Sequence, residues 1–107
     1  MKYKIELTKQ ADVDLRGIYE YIALNLLELE TAARLLERIE KGILSLDEMP
    51  ERFRVFNKEP WLDRGLRQMP VDNFIVFYIP KVEEATVTVI RVMYGGRDID
   101  KQLKKIN

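Results

Sequence analysis

The stretch Thr86–Asp98, TVTVIRVMYGGRD, decides how the chain is read. β-Branched residues fill Thr86, Val87, Thr88, Val89, Ile90 and Val92, and these types suit a pleated surface. Apolar side chains fall on both faces, as in a strand that is covered on both sides. The run predicts one buried strand, Thr86 to Tyr94, that ends in a Gly-Gly break and an Arg-Asp pair. Arg91 interrupts the apolar pattern. Its guanidinium stays charged and is costly to bury alone, so it must reach a sheet edge or a partner carboxylate.

The second and third strands precede this one. Arg64–Val71 reads as a strand stopped by Pro70, and Asp72-Asn73 as a turn, since both side chains tolerate positive φ. Phe74–Ile79 is apolar on both faces, which predicts a central strand closed by Pro80. Lys81–Ala85 is the loop into the final strand. Tyr78 and Tyr94 read as core-edge residues with buried rings and wet hydroxyls.

At the other end, Tyr3, Ile5 and Leu7 alternate with Lys2, Lys4 and Glu6, giving a short strand over Met1–Leu7. Thr8 is placed to cap the helix that follows, with Asp12 near its positive end. Ala11, Leu15, Ile18, Ile22 and Leu26 make one apolar stripe, so the helix is expected from Gln10 to about Leu26, with Asn25 as its C-cap. Gly17 in mid-helix suggests close packing. A second helix, about Glu30 to Asp47, carries Ala32, Leu35 or Leu36, Ile39, Ile43 and Leu46 inward. The short link makes the two an antiparallel hairpin. Glu51–Asp63 is irregular but not polar. Phe53, Val55, Phe56 and Trp61 mark it as a loop that folds back over the core, or else as a functional aromatic patch. After Gly95-Gly96, Asp98 would cap a short C-terminal helix with Ile99, Leu103 and Ile106 inward and Lys101, Lys104 and Lys105 on a basic face.

The order is β-α-α-β-β-β with a short terminal helix: an α+β domain in which a helical hairpin covers a mainly antiparallel four-stranded sheet. A chain of 107 residues allows one such domain. Apolar residues make up 47% and charged residues 34%, as in a soluble protein with one core. No run is long and apolar enough to predict a membrane span. The absence of cysteine and histidine removes thiolates, the commonest metal ligand and the commonest general base, so no metal site is expected. Eighteen basic residues balance eighteen acidic ones, which argues against a strong non-specific grip on nucleic acid.

Two motifs then stand together: LRQMPVDNFIVFYIP at Leu66–Pro80 and VIRVMYGGRD at Val89–Asp98. In this order and spacing, with the element order above, the chain resembles the RelE/ParE superfamily of toxins from bacterial type II toxin–antitoxin modules. The resemblance covers nearly the whole chain. It implies the RelE/ParE toxin fold, a cytoplasmic protein that arrests growth when free, no cofactor, and a cognate antitoxin that silences it. That antitoxin is expected from an adjacent reading frame encoding an acidic tail and a DNA-binding domain. A homodimer or a toxin–antitoxin hetero-oligomer is also compatible with it. RelE-like members cut mRNA on the ribosome; ParE-like members bind DNA gyrase.

Cutting RNA through its own 2′-oxygen needs a base, positive charge at the phosphorane and an acid for the leaving oxygen. RelE-like members carry an arginine directly after the aromatic that opens the third strand. Here Phe74 is followed by Ile75. The family's histidine after the last strand is Tyr94 here, and a phenol of pKa near ~10 is a poor base at neutral pH. The residues that survive are Arg67, Arg91, Tyr94, Arg97 and Asp98. The resemblance therefore favours a ParE-like gyrase inhibitor that acts by binding. On that reading Arg67, Arg91, Tyr94, Arg97, Asp98, Lys101 and Lys104 contact the target or the antitoxin. The alternatives are a ribosome-dependent endonuclease using Arg67, Tyr94 and Arg97, and a non-toxic binding module. Each arginine also has a plainer reading: Arg91 pairing with a carboxylate, Arg67 lying on a strand surface, and Arg97-Asp98 starting a helix.

Overall fold

The computed structural model describes residues 2–96 and residue 103. The elements are β1 (Lys4–Leu7), α1 (Lys9–Glu20), α2 (Leu29–Leu44), β2 (Arg67–Val71), β3 (Phe74–Lys81) and β4 (Thr86–Tyr94). They form one sheet in the order β1-β4-β3-β2. β3 pairs antiparallel with both β2 and β4, and β1 adds to the far edge of β4 in parallel. The long hairpin excursion between β1 and the rest of the sheet is what permits that parallel pairing.

Both sheet faces are covered, as the apolar pattern of β3 and β4 required. On one face lie α1 and α2, whose Ala11, Leu15, Leu35, Ile39 and Ile43 meet Met69, Val76, Tyr78, Val87, Val89 and Val92. On the other, Phe56 and Trp61 from the irregular stretch, together with Leu103, cover Leu66, Phe77 and Met93. Phe56 stands edge-on to Phe77 with centroids 5.7 Å apart. The stretch before β2 is thus the second lid of the core rather than an exposed aromatic patch. Of the expected C-terminal helix only Leu103, buried and helical, falls among the described residues.

Thr8 caps α1 as its position suggested, accepting from the Ala11 N–H at 3.0 Å. Its hydroxyl also donates to the Ile90 carbonyl at 2.8 Å, so one side chain joins the start of α1 to β4. The apolar stripe of α1 holds through Ile22 and then fails. Leu26 is exposed and Ala23 is buried in its place. The cause is a π-helical turn over Tyr21–Asn25, in which the Leu26 N–H bonds to the Tyr21 carbonyl. An i→i+5 turn shifts the helical phase, so a stripe counted at steps of three and four loses register there. Asn25 lies inside this turn and does not cap it; Leu27, at φ 56°, makes the left-handed break. In α2 the stripe is Ala32, Leu35, Ile39 and Ile43, and a 3₁₀ turn over Ser45–Asp47 carries Leu46 into the core.

Neither proline stops its strand. β2 begins at Arg67, three residues later than its composition suggested, and runs through Pro70. As β2 is an edge strand, the missing N–H of Pro70 breaks no ladder and blunts the open edge. Pro80 lies two residues past Tyr78, the last β3 residue that faces β2, so it too lies where β3 has only one neighbour. The close helix–sheet approach is at Gly42, not Gly17. A Cβ on Gly42 would meet the Met69 methyl at 3.2 Å, whereas one on Gly17 would meet nothing within 4 Å.

Candidate functional site

The chemistry-bearing residues gather where β4 outruns β1. Leu7, the last residue of β1, lies opposite Val89. Just beyond it, Phe77 faces Arg91 while Tyr78 faces Val89, so Ile90 is the extra residue of a bulge. Bulges bend a strand and re-aim its side chains. Here the re-aimed side chain is Arg91, which turns to α1 and meets Asp14. Its Nε lies 2.6 Å from one Asp14 oxygen, and its second guanidinium nitrogen lies 2.9 Å from the other. The first oxygen also accepts the Val92 N–H at 2.9 Å, on the edge that β1 no longer covers. Both side chains are nearly sealed, 11% exposed for Arg91 and 10% for Asp14. A fork-to-fork pair with a third donor is the geometry that allows such charges to be buried.

Arg91 thus finds the carboxylate that its buried position demanded. Asp14 itself escaped the sequence reading, although a signal existed. It lies three residues after Ala11 and four before Ile18, on the stripe that α1 buries, and a carboxylate there requires a cation.

Above the ion pair opens a groove of about 660 Å³ between α1 and the end of β4. Gly17, Ile18 and Ile22 form one wall, and Val92 with Phe74 the other. Tyr21 and Tyr94 stand at its rim, both exposed, with Tyr94 at 49%. The Tyr94 ring is held edge-on by Phe74, centroids 5.7 Å apart, and the chain is closed beneath it by the Gly95 N–H bonding to the Asn73 carbonyl at 2.8 Å. Tyr94 is therefore fixed in position yet open to a partner.

Arg67 does not join this group. Its guanidinium donates to the Glu51 and Phe53 carbonyls at 3.0 and 2.7 Å and lies 3.7 Å from the Glu51 carboxylate. It ties the turn over Pro50–Arg52 to β2. Tyr78 serves the same turn: its hydroxyl is buried, not wet, and donates to the Pro50 carbonyl at 2.6 Å. Burial pushes the Tyr78 phenol up to about 12, against a smaller downward pull from Arg67 and Arg52. Arg67 and Arg91 thus engage different partners and do not converge on one phosphate-sized space. Ile75 packs with the second core cluster and offers no charge. Arg97, Asp98, Lys101 and Lys104 lie outside the described residues.

The family model of the ParE toxin of type II toxin–antitoxin systems, parDE, matches residues 5–99. The chain belongs to this family. No curated protein sequence matches it. Among solved structures, the ParE-family chain is similar to the chromosomal ParDE toxin–antitoxin system of P. aeruginosa. The identity is 20%, the match covers 87% of this chain and 96% of that one, and the TM-score is 0.68. The RelBE2 toxin–antitoxin complex of Mycobacterium tuberculosis gives 19% identity, 88% and 92% coverage and a TM-score of 0.67. A mutant of the E. coli toxin RelE in the free state gives 16% identity, full coverage of both chains and a TM-score of 0.68. ParE and RelE structures match equally well, so the backbone establishes the toxin fold without separating the two branches. No described helix is long and apolar enough to cross a membrane.

Proposed function

We propose that this ParE-family chain arrests growth by binding DNA gyrase in the cytoplasm, and that a cognate antitoxin silences it. One observation carries the preference for binding over RNA cleavage: the Arg91 guanidinium is closed off in a bidentate pair with Asp14. A nuclease needs cationic groups free to meet the charge of a phosphorane. Arg91 has none to offer, Arg67 is engaged by loop carbonyls, and the third strand presents Ile75. On this reading the rim of the β4 groove, with Tyr94 foremost, contacts the target or antitoxin, joined by Arg97, Asp98, Lys101 and Lys104. The antitoxin covers the apolar groove between Tyr21 and Tyr94, a surface suited to an amphipathic segment. A cognate antitoxin is supported by the similar structures described as a ParDE toxin–antitoxin system and a RelBE2 toxin–antitoxin complex.

The exposed, well-held Tyr94 favours a second reading, a ribosome-dependent endonuclease using Arg67, Tyr94 and Arg97. Purified gyrase and a ribosome-programmed mRNA, each titrated with the toxin, separate the two. Loss of supercoiling with intact mRNA is the expected result. Unaffected supercoiling at high toxin excess, together with mRNA cuts that vanish in Tyr94→Phe/Arg97→Ala, would overturn the proposal.

A further inference from the structure

The helical hairpin ends in a surface that the fold itself does not use. Leu24, Leu26, Leu27 and Leu29 are all more than half exposed, and Leu27 reaches 84%. Leu27 also sits at φ 56°, in the left-handed region that glycine or asparagine normally occupies. A leucine there gains no burial and adopts an unfavourable backbone conformation, so intramolecular packing gives no reason for it. The π-helical turn just before it swings Leu24 and Leu26 outward in the same place.

This tip continues into a second groove, about 560 Å³, between α1 and α2. Its apolar lining is Leu15, Tyr19, Leu24, Leu29 and Leu36, so Leu24 and Leu29 belong to both the groove and the tip. Glu20 and Glu40 stand on its rim, and neither has an ion-pair partner among the described residues. The other rim charges, Asp12 and Arg16, neutralise each other at 2.9 Å. From Gly17 to Ala33 the chain carries three glutamates, Glu20, Glu28 and Glu30, and neither lysine nor arginine.

We infer that this groove and tip dock a helix of a partner protein that has an apolar stripe flanked by lysine or arginine. The elongated run of leucines from groove to tip suits the apolar stripe of an amphipathic helix, and the unpaired carboxylates select its flanks. A second copy of this chain would set one acidic rim against another, and an anionic membrane would be repelled for the same reason. An acidic segment is disfavoured here as well. The site is therefore separate in character from the β4 groove, and it does not depend on which target the toxin arrests.

The test uses the full chain and two synthetic helical peptides with the same leucine stripe, one flanked by lysines and one by glutamates. Fluorescence anisotropy at low salt is expected to show the lysine-flanked peptide binding at least ~10-fold more tightly, with the gap closing as salt is raised. Glu20→Lys/Glu40→Lys is expected to reverse that order, and Leu24→Asp/Leu29→Asp to abolish binding of both peptides. Equal binding of the two peptides, which needs no variant, would overturn the inference. So would an order that survives the charge swap. Concentration-dependent self-association that Leu27→Glu removes would overturn it too, by making a second copy the occupant.

Discussion

From Thr86 to Val89, β4 has a strand on each side, β1 in parallel and β3 antiparallel. From Ile90 to Tyr94 it has β3 alone, and α1 takes the place of the missing neighbour. The first half is held by ladder hydrogen bonds and by Val87 and Val89, fully buried under the helices. In the second half, Asp14 binds the Val92 N–H and pairs with Arg91. The contrast shows how a sheet can end its pairing without leaving a reactive edge. A helix carboxylate completes the backbone, a buried arginine neutralises the carboxylate, and the bulge at Ile90 lets the arginine reach it. It also frees the last residue, Tyr94, to face outward beside an apolar groove. A buried half and an open end are thus divided along one strand.

The largest effect should come from breaking the second half. Asp14→Ala leaves Arg91 buried without a counter-charge and is expected to cost about 3–5 kcal/mol, read by urea denaturation. Adding Arg91→Met should restore much of that loss, because the arginine's charge is then no longer stranded in a buried site. If the double variant is no more stable than Asp14→Ala, the pair is not what holds this half.

Tyr78 tests the other half, since it lies opposite Val89, the last doubly paired residue. Tyr78→Phe strands the buried Pro50 carbonyl and should cost about 1–3 kcal/mol. The wild type should also show a pH signature that the variant lacks. The folded phenol titrates near 12 and the unfolded one near ~10, so the unfolded chain gives up its proton first. The tyrosine's contribution is then fully present below pH ~10 and is lost as pH rises through about 12. Equilibrium unfolding across that window, with Tyr78→Phe alongside, checks it.

Thr8 stands at the boundary and serves both halves. Thr8→Ala removes the α1 cap and the bond to Ile90, and should lower stability by about 0.5–2 kcal/mol. The smallest stability effect belongs to Tyr94→Phe, within about 0.5 kcal/mol, because the residue is about half exposed and the ring that meets Phe74 is kept. Growth arrest should nevertheless weaken in that variant if the strand's end is the recognition surface. Unchanged arrest with unchanged stability would move recognition away from Tyr94.

Much of the architecture was legible in the residues, for reasons that are local. The β-branched run of β4 and the doubly apolar β3 required a sheet covered on both faces, and Phe56 and Trp61 are what cover the second one. Thr8 showed as a cap because its hydroxyl acts within one turn. Reading went wrong where the outcome depended on distant partners or on a change of helical phase. Pro70 and Pro80 look like strand ends until the sheet order places them where no ladder is lost. Leu26 looks buried until the π-helical turn rotates it outward.

The sequence by itself determined the element order, both apolar faces of the sheet and the need of Arg91 for a counter-charge. Periodicity and desolvation act on each residue wherever its neighbours come from. Only the tertiary structure decided that Asp14 meets Arg91, that Arg67 is drawn away to the turn over Pro50–Arg52, and that Tyr94 is left open. The Asp14–Arg91 pairing and the exposure of Tyr94 depend on where β1 stops against β4 and how α1 crosses the free edge. These are relations between segments more than seventy residues apart, as the Asp14–Arg91 separation of 77 shows, and no local pattern encodes them.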